Sequence, residues 1–265
     1  MEHNELYQRL GLPQQVVEAL SEYGKTRSGS YLLKIEDLIA DIGVMKGLEE
    51  KIKDFVGEDP DGFGMLWEEL DIARKVFDEY QKRGICTDIF DDTMKFCTRF
   101  LNEHYRIHGT YCFVWGWWFP RQLSMREYRI GALEYEFCED RVFIHIPSDA
   151  DLSKPSVMDS LTRYHEFCGK YFPKCSGFSL CCESWLLSPA LDKLLKKDSN
   201  ILQFQDMFEI TETDEESMAV MDWVFPGCAQ GLEQLPETTS LQRNMKKYLL
   251  SGGKVGWSKG VLRRM

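Results

Sequence analysis

Over the first 108 residues the apolar positions recur at helical spacing. Leu32, Leu33, Ile35, Leu38, Ile39 and Ile42 form one stripe, and Leu66, Leu70, Ile72, Ala73, Val76 and Phe77 form another. Both fit the 3.6-residue period of an amphipathic helix. The pattern predicts helices over 5–10, 13–23, 31–42, 65–80 and 87–105, with Pro13 in a first turn and Gly84 as a stop. The Gly-Glu-Asp-Pro-Asp-Gly run at 57–62 reads as a loop.

Near residue 110 the period shifts towards two. Strands are predicted over 111–118, 128–137 and 141–146, with Val142, Ile144 and Ile146 on one side. Glu139-Asp140 makes the connection between the last two tight, so they should form an antiparallel hairpin. Ser153-Lys-Pro-Ser156 then offers a cap and an early proline for a helix. That helix carries Val157, Leu161, Tyr164, Cys168 and Tyr171 on one face. Beyond it come a strand over 178–185, a short helix over 189–195, two mutually paired strands over 207–211 and 218–225, and a helix over 239–250 closed by Gly252-Gly253. The fold class is α+β: a helical N-terminal domain, 1–120, on a mixed, mostly antiparallel sheet flanked by helices, 121–265.

Composition narrows the classes of function. With 265 residues, 43% of them hydrophobic, the chain can bury one large core or two modest ones. No apolar run approaches the roughly 20 residues that span a bilayer, and the acidic, polar start MEHNELYQRLGL does not fit a secretory signal, so no membrane partner is expected. A net charge of −11 argues against nucleic acid, and the basic stretch from Lys254 to Arg264 is too short to reverse that. Nine cysteines follow no disulfide rhythm and no CxxC pair occurs; free thiols in a cytoplasmic protein are expected. His104 and His108 share a helical face without paired cysteines or an HExxH glutamate, so no metal is expected.

Five short blocks, in order, carry a family resemblance. They are Tyr-Arg-Ile-Gly-Ala-Leu-Glu-Tyr-Glu at 128–136, His-Ile-Pro at 145–147, Ser-Trp-Leu-Leu-Ser-Pro at 184–189, Ser-Asn-Ile-Leu-Gln-Phe at 199–204 and Thr-Ser-Leu-Gln-Arg at 239–243. Together they resemble a bacterial family that joins a helical N-acyltransferase N-terminal domain to a GNAT-like C-terminal domain, and they cover roughly residues 75 to 260. The resemblance implies an acyl-CoA-dependent N-acyltransferase that moves an acyl group, such as acetyl, from acetyl-CoA or another acyl-CoA to a small-molecule amine or a peptide by direct attack on the thioester.

The resemblance also implies a place for the co-substrate. In such folds the pantetheine lies along a splayed strand and the pyrophosphate meets the start of the next helix. In this sequence the strand is 141–147, with Ile144 and Ile146, and the loop is 148–156, with Ser153 and Ser156. Free amides and the helix dipole favour phosphate there. The loop departs from the usual glycine-rich pattern, carrying Asp149-Ala150 and Asp151. That departure motivates a second reading, a non-catalytic GNAT-fold interaction module that has lost its phosphate loop.

Candidate chemistry sits close by. His145 is a candidate base for the amine, since an unperturbed imidazole titrates near neutrality, with a structural hydrogen bond as the alternative. Glu183, between apolar neighbours on the next strand, is another candidate base or else a solvated strand residue, and relatives commonly carry histidine there. Ser184 and Ser188 are candidate proton donors to the departing thiolate. Cys182 with a histidine would open a thiol-hydrolase reading, against ordinary packing of adjacent cysteines. Trp115, Trp117 and Trp118 would line an acyl pocket or, more commonly for such residues, serve packing. Arg121 and Arg129 are candidate anion partners or members of structural ion pairs.

Overall fold

The structure is a computed structural model that describes residues 1–26, 29–228 and 231–263. Two compact units divide the chain, Met1–Arg129 and Ile130–Met265. The first is helical. Its long central helix, Phe63–Lys82, buries Leu66, Leu70, Ile72, Ala73 and Val76, the stripe expected from the sequence. Helices His3–Leu10, Gln14–Thr26 and Leu48–Val56 pack around it.

Two helices differ from expectation here. The run 31–42 starts later, since Leu32 is 90% exposed and adds nothing to a buried face, and it breaks into Ile35–Ala40 and Ile42–Lys46 at Asp41, whose extended backbone and carboxylate cap the second helix. The run 87–105 is two helices, Thr87–Met94 and Phe96–His108, divided at Lys95. The expected strand over 111–118 is absent. Phe113 N–H donates to the Asp61 carbonyl at 2.9 Å, and Trp118 and Phe119 N–H turn back to the Trp115 carbonyl. Trp115 serves packing, stacked on Phe100 at 4.1 Å between ring centroids, whereas Trp117 is exposed.

The sheet has strands β1 (Glu127–Ile130), β2 (Leu133–Phe137), β3 (Arg141–His145), β4 (Ser179–Ser184), β5 (Phe208–Asp214) and β6 (Trp257–Leu262), in the order β1-β2-β3-β4-β6-β5. The single strand expected over 128–137 is thus two, divided at Gly131, whose φ of +66° suits glycine. The β2–β3 hairpin is antiparallel as expected, pairing Tyr135 with Ile144. β3 and β4 run parallel, and β6 is antiparallel to both β4 and β5. Helix Lys154–Tyr171 connects the parallel pair. It covers one face of the sheet, where Tyr135 stacks on Tyr164 at 4.4 Å.

The segment 218–225 is not a strand but a helix, Ala219–Val224. Val220 and Val224 are buried four residues apart while Met218 and Trp223 are exposed, which is helical spacing. The partner of β5 is instead β6, which the alternation test missed. Its inward positions are Ser258 and Gly260, both buried. A Cβ on Gly260 would lie 3.1 Å from Leu187 and from Phe208, so the strand packs by having almost no side chain there. Helix Ser240–Leu250 is closed by a reciprocal capping box between Thr239 and Gln242. Among the described residues, no helix is long and apolar enough to cross a membrane.

Candidate active site

The parallel register between β3 and β4 runs from Arg141↔Ser179 to Ile144↔Cys182 and stops. Past that point each strand follows a different neighbour. His145 pairs with Glu134 on β2, while Glu183 and Ser184 pair with Lys259 and Ser258 on β6. The two strands therefore part at their C-terminal ends, between His145 on one lip and Glu183 on the other. Ligands of open α/β sheets sit in such crevices beyond the carboxyl ends of parallel strands.

Strand parity decides which side chains face the opening. Val142, Ile144 and Cys182 are buried on the face that helix Lys154–Tyr171 covers, so Ile144 can offer a ligand only its backbone. Phe143, His145, Cys181 and Glu183 take the opposite face. Paired positions share a face, which brings Glu134, Glu136 and Lys259 to the same side. His145 Nε2 lies 2.9 Å from Glu136 Oε2, both partly buried. A hydrogen bond from Nε2 to the carboxylate leaves the ring lone pair on Nδ1. Glu183 stands opposite Lys259, whose Nζ is 3.1 Å from Glu212 Oε2, so it belongs to a row of alternating charge across β4, β6 and β5. Those carboxylates hold the Lys259 ammonium above its ordinary pKa, the Glu212 hydrogen bond first.

The serines divide. Ser184 Oγ accepts the Leu186 N–H at 3.1 Å and so caps the short turn Trp185–Leu187, and its own proton is not committed by that bond. Ser188 is buried, donates to the Val255 carbonyl and accepts from Ala190 N–H, which commits its proton to structure. Cys182 is fully buried, and burial pushes its thiol well above the ordinary range, so it is a packing residue. Arg121 lies over the Trp118 ring at 4.1 Å.

At the start of helix Lys154–Tyr171 the acid that the sequence made conspicuous is engaged. Asp151 accepts Ser153 N–H at 2.9 Å, the Ser153 hydroxyl at 2.9 Å and the Ser156 hydroxyl at 2.6 Å. These bonds, the Ser156 one foremost, hold its carboxyl below the usual carboxylate range. Ser153 stands at the N-cap but makes no side-chain cap bond, and it is Asp151 that draws on both its hydroxyl and that of Ser156. Ile146 is half-buried and leads into buried Pro147, whose carbonyl accepts Ala150 N–H at 2.9 Å. Sequence reasoning missed Glu136 as the partner of His145; the signal was present in the hairpin, where the two lie one diagonal step apart across a tight turn.

Comparison with known proteins bears on the family and the fold. Residues 125–262 match the model of the GNAT-like C-terminal domain, and residues 1–125 match that of the N-acyltransferase N-terminal domain. No curated protein sequence matches. Among solved structures, an acyltransferase in complex with decanoyl-CoA and teicoplanin superposes with a TM-score of 0.73 at 19% identity, covering 99% of each chain. A mutant acyltransferase in complex with octanoyl-CoA gives 0.74 at 18% identity over 100% of each.

Proposed function

The chain belongs to the family defined by the GNAT-like C-terminal domain, and on that premise we propose that it is an acyl-CoA-dependent N-acyltransferase with a small-molecule or peptide amine as acceptor. The observation that carries the reading is the parting of β3 and β4 beyond Ile144 and Cys182. It supplies a slot with strand backbone on both lips, suited to a pantetheine arm. Solved proteins of the same fold are acyltransferases in complex with octanoyl- and decanoyl-CoA, and one carries the glycopeptide teicoplanin.

In this reading acyl-CoA supplies an activated carbonyl and a thiolate leaving group, and the chain supplies position and a proton acceptor. His145 takes the amine proton while Glu136 fixes the ring and balances the resulting charge. Glu183, on the other lip, is the second candidate base; Ser184, the candidate donor to the departing thiolate, shares the parity of Cys182 and the covered face, so it serves in this reading only from the strand end. Backbone of Ile144 and Ile146 holds the pantetheine. The pyrophosphate goes to the helix start at Ser153 and Ser156, where it must displace Asp151. Acetyl and longer acyl chains are both within the proposal, and the nine free thiols agree with a cytoplasmic setting.

Asp151 is also what favours the rival, a GNAT-fold module that binds a partner and no nucleotide, because its carboxylate sits where phosphate would. The test is thiol release from acetyl-, octanoyl- and decanoyl-CoA with a panel of primary amines. Amine-dependent release supports the enzyme. No release together with no CoA binding supports the module.

A further inference from the structure

Helix Phe96–His108 carries two histidines in its last turns, His104 and His108. Residues four apart on a helix share a face, and here the rings lie together, with centroids 4.4 Å apart and planes at 42°. Neither is a core residue: His104 is half-buried and His108 is exposed.

The two rings are held differently. His104 Nδ1 is 2.7 Å from the Thr110 carbonyl oxygen. A carbonyl only accepts, so Nδ1 carries the proton and the lone pair of the neutral ring is on Nε2. The bond also orients the ring, because Thr110 follows Gly109, whose φ of +73° closes the helix. Among the described residues the His108 ring has no hydrogen-bond partner, and its ring contact is with His104.

An imidazole that gives its Nδ1 proton to a backbone carbonyl and keeps Nε2 open has the arrangement of a metal-bound histidine. Metal–nitrogen bonds of about 2.0–2.1 Å put the centroids of two neighbouring ligand rings roughly 4.5–5 Å apart. The observed separation needs little adjustment to meet that. The free carbonyls of the helix end favour a cation beside the last turn. Arg106, the other basic residue of that turn, projects by its spacing from the far side of the helix. Among the described residues no third histidine, cysteine or carboxylate converges on the pair. The lack of paired cysteines and of an HExxH glutamate speaks against a closed or protease-type site. It does not bear on an open chelate of two imidazoles with water in the remaining positions.

We propose that His104 and His108 together bind one divalent transition cation of the imidazole-preferring class, such as Ni2+, Cu2+ or Zn2+, with His104 Nε2 as one of the two ligand atoms. The ion ties the last turn of the helix to the chain at Thr110 through the His104 ring. Hard cations such as Mg2+, which take oxygen ligands, do not suit this donor set. The inference stands whether or not the chain transfers acyl groups.

The test is calorimetric titration of the full chain at neutral pH with NiCl2, and with MgCl2 as the hard-cation control. The expected result is one Ni2+ bound per chain and no Mg2+. His104→Ala and His108→Ala should each weaken Ni2+ at least roughly tenfold, because a single imidazole loses the chelate. His165→Ala, which removes an exposed histidine elsewhere, should change nothing. Both tested rings lie at the surface, and circular dichroism checks that the variants fold. Mapping histidine modification by diethyl pyrocarbonate locates the site on the unaltered chain, where Ni2+ should protect His104 and His108 and leave His165 reactive. No binding at millimolar Ni2+, equal binding of Mg2+, affinity that either variant leaves undiminished, or failure of Ni2+ to protect the pair overturns the proposal.

Discussion

Ile144 of β3 and Cys182 of β4 are the last residues in register on the parallel pair, and the residues that follow them, His145 and Glu183, pair with different strands. The opening is therefore made by backbone pairing rather than by side-chain volume. Side chains on the covered face, such as Ile144 and Cys182, are set by the core, and those on the other face are available for chemistry.

His145 and Glu136 act as a unit in this account. His145→Ala should lower kcat by about 10²–10⁴-fold, the range for removing a general base, with little change in the KM for acyl-CoA. Glu136→Gln should cause a smaller loss in kcat, because the ring loses its orienting and charge-balancing partner while the imidazole itself remains. Steady-state kinetics on both variants checks this. A Glu183→Gln variant that loses more activity than His145→Ala would move the base to the other lip.

Asp151 makes opposite predictions for stability and for nucleotide binding. Its folded pKa is lowered by the Ser153 and Ser156 hydrogen bonds, so its contribution is present above the ordinary carboxylate range and is lost as pH falls through the lowered pKa. Asp151→Asn should therefore melt slightly below the unaltered protein at neutral pH, and the difference should vanish in strong acid. The same variant should bind CoA more tightly, because one negative charge has left the phosphate site. Melting curves across pH and a CoA titration read out the two effects.

Cys182 should resist alkylation in the native protein. Its thiol is buried and pushed upward, whereas Cys86 is exposed. Peptide mapping after brief iodoacetamide treatment should find Cys86 modified and Cys182 untouched, with transferase activity retained. Activity lost in step with Cys182 modification would revive the thiol-hydrolase reading.

Ser160 ties the sheet to its covering helix. Its hydroxyl donates to the Ile130 carbonyl and also meets Leu133 N–H at 3.3 Å and the Tyr135 hydroxyl at 2.9 Å, all out of water. Ser160→Ala leaves those groups unanswered and should cost about 1–3 kcal/mol in denaturant unfolding. Tyr135→Phe, which removes only one of the partners, should cost less.

Much of the fold was legible in the sequence, because most elements bury an apolar stripe of the right period. The hairpin of β2 and β3, helix Lys154–Tyr171 and strand β4 fall where the pattern puts them. The failures have different causes. β6 buries Ser258 and Gly260, which no hydrophobicity test reads as core, and it lies within the basic stretch from Lys254 to Arg264, of which Arg264 is outside the described residues. Residues 111–118 are aromatic and strand-like in composition, yet their backbone bonds go to loop and turn carbonyls. At the site, His145, Glu183, Ser153 and Ser156 could be named from position alone, but what each touches could not. The Glu136 contact depends on register, and the Asp151 bonds depend on a loop conformation that no periodicity specifies. On a helix rich in acids, nothing in the sequence around Glu69 marks it as a buried acid without a hydrogen-bond partner among the described residues.

The most direct test of the central claim is hydrogen–deuterium exchange with and without decanoyl-CoA. Binding in the strand opening should slow exchange in peptides covering Ile144 to Pro147 and Glu183 to Ser184, together with the helix start at Ser153 to Ser156, and leave β5 unchanged. Saturating decanoyl-CoA that protects none of these segments, or that does not bind at all, would contradict the account.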